Sequence, residues 1–134
     1  MGELNMEELF KLGIDEDSLV SMIEQCPNIR NMDNNDILEM IDLLKYIDCT
    51  DSQIRNIIIC NPYYLDRFIN DIYKLINCFK GIGISELNLL FDANPYLLNK
   101  DEFEVKEYIN NRLSVGIKID DIIDEIECNP YVID

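Results

Sequence analysis

Cys60-Asn61-Pro62-Tyr63-Tyr64-Leu65 returns, little changed, as Ala93-Asn94-Pro95-Tyr96-Leu97-Leu98 and as Cys128-Asn129-Pro130-Tyr131-Val132-Ile133. A looser version, Gln25-Cys26-Pro27-Asn28-Ile29, precedes all three. The prolines at 27, 62, 95 and 130 are the only ones in the chain, and their intervals are 35, 33 and 35. Upstream of each lies a second shared phrase: Gly13-Ile14-Asp15, Asp48-Cys49-Thr50, Gly83-Ile84-Ser85 and Gly116-Ile117-Lys118. The last residue of that phrase precedes the proline by 12, 12, 10 and 12 positions. Two markers recurring together four times define a repeat.

The physics of one unit follows from those markers. Glycine tolerates the left-handed conformation that ends a helix, so Gly81, Gly83 and Gly116 read as helix stops. Asp15, Thr50 and Ser85 read as caps of the next helix, and Thr50 with Gln53 forms a capping box. Lys118 departs from this pattern, and Asp120 is the expected cap there. Between cap and proline run Leu19, Val20 and Ile23; Ile54, Ile57 and Ile58; Leu87 and Leu90; Ile122, Ile123 and Ile126. These spacings give a helix one apolar face. The residue before a proline avoids the α region, so each short helix stops there. Proline then opens a single turn, pinned by Tyr64-Leu65, Leu97-Leu98 or Val132-Ile133. Longer helices connect the units, with stripes Ile37, Met40, Ile41, Leu44; Ile69, Ile72, Ile76, Phe79; and Val105, Tyr108, Ile109, Leu113.

No segment alternates with period two for long enough to make a strand, and the β-prone Ile57-Ile58-Ile59-Cys60 lies within helical neighbours. The expected fold is all-α: a short α-solenoid of about three and a half repeats of 33–35 residues. Each repeat holds two helices and a proline-initiated turn. One domain spans residues 1–134, with repeat boundaries near 33/34, 67/68 and 100/101.

Leu12-Gly13-Ile14, a capped short helix, then Cys-Pro or Asn-Pro with two apolar residues, every 33–35 positions, resembles the mitochondrial transcription termination factor (mTERF) repeat. The resemblance covers nearly the whole chain. It implies units of two α-helices and a 3₁₀ helix stacked into a curved solenoid, and nucleic acid bound along a basic inner surface.

Composition pulls against that last implication. The 27 acidic and 11 basic residues leave a net charge of -16, which repels phosphate backbones and anionic membranes. Residues 1–47 carry 11 acids and 3 bases, residues 48–82 four of each, and residues 83–134 carry 12 acids and 4 bases. Arg55, Arg67, Lys74 and Lys80 in the neutral middle are the candidate nucleic-acid track; otherwise they are surface charge paired with Asp51, Asp66 and Asp71. Tyr63, Tyr96 and Tyr131 hold the same place after proline. They are either a partner-binding aromatic ladder or packing between adjacent repeats.

With no histidine, histidine-based catalysis and most zinc sites are excluded. Asp120, Asp121, Asp124, Glu125 and Glu127 match no calcium loop, and Gly81-Ile82-Gly83 is no phosphate loop. No enzyme activity, metal or cofactor is expected. The five cysteines form no Cys-x-x-Cys and read as reduced, mostly buried thiols of a cytoplasmic protein. The acidic start Met1-Gly2-Glu3-Leu4-Asn5 resembles neither a signal peptide nor a myristoylation site. The leading functional expectation is a non-enzymatic acidic module that binds a protein partner. The alternatives are nucleic-acid binding and an acidic mimic of nucleic acid that occupies a basic DNA-binding protein.

The charge distribution also predicts behaviour. Moderate NaCl should raise the melting temperature, because salt screens the repulsion within each acidic third. Amides near Ile122 and Ile126 should exchange faster than those near Ile72 and Ile76, since a terminal repeat has one stacking neighbour. Best protection at the last helix would overturn this expectation.

Overall fold

The computed structural model describes residues 6–133, and the reading of residues 1–5 lies outside that range. Eight α-helices occur among the described residues: α1 (Glu7–Lys11), α2 (Glu16–Gln25), α3 (Asn34–Tyr46), α4 (Asp51–Cys60), α5 (Ile69–Ile82), α6 (Leu87–Ala93), α7 (Glu102–Ser114) and α8 (Ile119–Cys128). Three 3₁₀ turns, Pro27–Asn31, Pro62–Asp66 and Pro95–Asn99, follow α2, α4 and α6. Residues 130–133 make a further turn after α8. The fold is all-α and of the helical-repeat, α-solenoid class. The chain divides into two compact units, Met1–Arg67 and Phe68–Asp134.

The repeat is written in the backbone. Gly13, Gly83 and Gly116 have φ of 91°, 112° and 91°, and Asp48, at the equivalent place, has φ 71°. At each, two hydrogen bonds close the preceding helix in the Schellman pattern. Ile14, Cys49, Ile84 and Ile117 donate their N–H to Leu9, Leu44, Phe79 and Arg112. The left-handed residue itself donates to Phe10, Lys45, Lys80 or Leu113. Asp48 is the one non-glycine among the described residues with positive φ, and a Cβ there is strained. Asp48→Gly should therefore stabilise unit 1 by roughly 0.5–1 kcal/mol, less the entropy glycine adds to the unfolded chain. Urea denaturation checks this, and a loss of stability would contradict the strain.

The residue before each proline repeats as faithfully: Cys26, Asn61, Asn94 and Asn129 have φ between -133° and -138°. The short helices stop at Gln25, Cys60, Ala93 and Cys128, as the proline requires. The Asp15 carboxylate accepts from Ser18 N–H, and Thr50 with Gln53 makes the capping box.

Other expectations need correction. Ser85 is not the cap: Glu86 holds that place without a side-chain bond, and α6 starts at Leu87. The interval from phrase to proline is two residues shorter here, so α6 has 7 residues where α4 has 10. Asp120 is not a cap either. Lys118 takes the extended N-cap backbone, and Asp120 and Asp121 lie in the first turn, where they favour the helix dipole. Gly81 lies inside α5 and not at a left-handed stop.

In unit 1 the core comprises Leu19, Met22 and Ile23, the α3 stripe, Ile54, Ile57 and Ile58, and Tyr64 and Leu65. Met22 replaces the expected Val20, which is exposed. The buried Tyr64 hydroxyl donates to the Met40 carbonyl at 2.6 Å. In unit 2 Ile72, Leu75, Ile76 and Phe79 pack with Leu87, Leu90, Phe91, Leu97, Leu98, Val105, Ile122 and Ile126. The Phe79 and Phe91 rings meet edge-on, 5.9 Å between centroids. Ile69, expected in the α5 stripe, is only half-buried.

Val132 and Ile133 are half-buried, not largely buried as Leu65, Leu97 and Leu98 are. Leu113 is exposed, and Arg112 takes the stripe position instead. Among the cysteines, Cys26 and Cys49 are buried, Cys78 is half-buried, and Cys60 and Cys128 are exposed; all are free thiols. The last two end short helices directly before Asn-Pro, and two of the five thiols are buried where most were expected to be.

Candidate binding surfaces

Each post-proline tyrosine is half exposed: 50% at Tyr63, Tyr96 and Tyr131. In unit 1 the Tyr63 hydroxyl donates to the Gln25 carbonyl at 2.6 Å. In unit 2 the Tyr131 hydroxyl donates to the Ala93 carbonyl at 3.4 Å. Both acceptors are the last residue of a short helix 38 positions upstream, where carbonyls lack intrahelical partners. So Tyr63 and Tyr131 each tie one repeat's turn to the previous repeat's helix end. The remaining ring surface faces solvent.

The four candidate cations are placed differently from one another. Arg55 is half-buried, and its Nη1 donates to the Leu12 carbonyl at 2.8 Å. The guanidinium covers the Gly13 turn so closely that a Cβ on Gly13 would stand 3.1 Å from it. Arg67 is half-buried at the end of unit 1, while Lys74 and Lys80 are exposed on α5.

Lys74 borders a groove between α5 and α7 in unit 2 that was not legible as a site from sequence. Its volume is ≈ 650 Å³. Cys78, Ile82 and Ile109 form its less exposed part; Lys74, Asn77, Lys106 and Asn110 line its rim. A Cβ on Gly81, another lining residue, would meet nothing within 4 Å. Glu102 also lines it and pairs with Lys106 at 3.3 Å. Burial pushes the Cys78 thiol above its ordinary pKa, so it is a weak nucleophile. Asn77 and Asn110 are 33 residues apart, the interval between Pro62 and Pro95, and that was the available signal.

A shallower depression shares Lys74 and Glu102 with this groove and adds Asp71, Asp101 and Phe103. Phe103 is 79% exposed.

On α8, Asp120, Asp121, Asp124 and Glu127 are exposed, and Glu125 turns inward to α7. Arg112 and the Tyr108 hydroxyl hold the Glu125 carboxyl below the usual carboxylate range. No group of three or more histidine, cysteine or acidic residues that could hold a metal occurs among the described residues. No helix among them is long and apolar enough to cross a membrane.

Fold and surfaces together define a helical-repeat protein. The chain belongs to the mTERF family, whose model matches residues 2–134. No curated protein matches the chain.

Proposed function

We propose that this protein binds nucleic acid. The observation that carries the reading is membership of the mTERF family across residues 2–134, with the nucleic-acid binding that this resemblance implies. The net charge of -16 sets the terms. Binding has to be local and weakened steeply by acids elsewhere on the surface. Lys74 and Lys80 on α5 are the exposed members of the candidate track. Contact with about two phosphates gives a shallow salt dependence, a log–log slope of roughly -1.8 on duplex and -1.4 on a single strand.

Fluorescence anisotropy with labelled duplex and single strands tests this, starting at low salt, where phosphate binding is strongest. Saturable binding that weakens with salt and is lost in a Lys74→Ala, Lys80→Ala double variant is the expected result. Absence of binding to every strand at the lowest salt would sink the reading.

The charge itself favours a second reading, an acidic module that takes a basic protein partner on surfaces such as the exposed acids of α8. A nucleic-acid mimic is its special case. Salt-sensitive binding of a basic DNA-binding protein, with no binding of nucleic acid, supports this second reading over the first.

A further inference from the structure

We propose that the α5–α7 groove of unit 2 binds an adenine nucleotide, its base against the apolar wall and its phosphate between Lys74 and Lys106. The volume of ≈ 650 Å³ falls within the ~300–1,000 Å³ of small-molecule sites. Cys78, Ile82 and Ile109 give the groove an apolar wall for the base. Asn77 and Asn110 carry the paired donor and acceptor that match the N6/N7 edge of adenine.

Charge complementarity selects the anion. Lys74 makes no ion pair among the described residues. Lys106 holds Glu102 at 3.3 Å, a partially exposed i,i+4 pair of little net strength that a phosphate dianion can displace. The groove lining thus carries two cations and one anion on a chain whose net charge is -16. The acids Asp71 and Asp101 share the adjoining depression with Lys74 and Phe103, so phosphate is disfavoured on that side and favoured on the Lys106 side.

Gly81 is what keeps the groove open. It lies within α5, and open space surrounds the point where its Cβ would be. A larger residue there occupies the groove and improves helix propensity.

The nucleotide can be free or part of a single strand, and only the second source rests on the proposed nucleic-acid binding. Isothermal titration of the full chain with AMP, adenosine, inorganic phosphate and a short oligo(dA) separates the sources. AMP should bind with Kd of order 10⁻⁴ M, and adenosine or phosphate alone at least about tenfold more weakly. Gly81→Leu should abolish AMP binding with the helical circular dichroism retained, and Lys74→Ala should weaken it about tenfold. AMP should also slow alkylation of Cys78 by a maleimide.

Binding of AMP that Gly81→Leu removes, without binding of oligo(dA), keeps the groove as a site for the free nucleotide and overturns the strand as its source. Oligo(dA) binding that Gly81→Leu leaves unchanged, with no AMP binding, overturns the groove and leaves nucleic-acid binding standing. No binding of either ligand, or AMP binding indifferent to both Gly81→Leu and Lys74→Ala, overturns the inference.

Discussion

Asn94→Ala should destabilise unit 2 by about 2–4 kcal/mol, whereas Asn129→Ala should cost well under 1 kcal/mol, although both stand in an Asn-Pro-Tyr phrase. Asn94 is fully buried. Its Nδ2 donates to the Pro130 carbonyl at 3.0 Å, and its Oδ1 accepts from Tyr96 N–H at 3.2 Å. One side chain therefore pins its own proline turn and reaches the turn of the next repeat, 36 residues on. Alanine leaves an N–H and a carbonyl without these partners, each costing ~1–3 kcal/mol where water does not reach it. Asn129 makes the local half of the pattern, accepting from Tyr131 N–H at 3.3 Å, but is exposed, so water replaces the lost bond. Chemical denaturation of both variants checks the contrast. Equal losses would show that the asparagine acts only on its own turn.

That contrast shows how much of the fold the sequence carried. The phrases at 13–15 and 48–50 marked helix starts correctly, because oxygen caps are local chemistry. The structure gives Asp48 a positive φ like its glycine equivalents, which the repeat alignment marks and residue propensity does not. At Ser85 and Lys118 the phrase placed the helix start to within about two residues while the side-chain cap was misassigned. Geometry there is imposed by the repeat, and the cap residue is free to vary. The bridging half of the Asn94 interaction was not legible, since it depends on a partner 36 residues away. The groove was hidden for the same reason. Asn77, Cys78, Lys106 and Asn110 each look like ordinary residues, and only the pairing of α5 with α7 makes them one surface.

The fourth repeat changes its chemistry at three core positions, and reversing that change should turn a monodisperse protein into a self-associating one. Leu75 and Phe79 on α5 correspond, 33 residues on, to Tyr108 and Arg112 on α7. Ile57 and Leu90 on the short helices correspond to Glu125 on α8. The apolar residues are buried, whereas the polar three are half-buried and bond to one another. Arg112 Nε donates to Glu125 Oε2 at 3.1 Å, its Nη2 donates to Oε1, and the Tyr108 hydroxyl donates to Oε2 at 2.8 Å. Apolar side chains at three half-buried positions would make a sticky face, and the polar triad closes it off.

Acid tests the closure gently. The lowered pKa of Glu125 means that its contribution is present above the ordinary carboxylate pKa and lost as pH falls through the folded value. Amides of α8 should then lose protection below about pH 4 before those of α5 do. The triple variant Tyr108→Leu, Arg112→Phe, Glu125→Leu tests it severely. Each new apolar side chain gains ~1.5–3 kcal/mol from full burial, and a second copy is the nearest surface that can supply it. Sedimentation velocity should show a concentration-dependent rise in mass for the triple variant, and none for Arg112→Ala, which removes the pair without adding a large apolar group. A triple variant that keeps the wild-type mass across the same concentrations would mean that these positions are not a closing face, and that the polar triad serves only to hold α8 against α7.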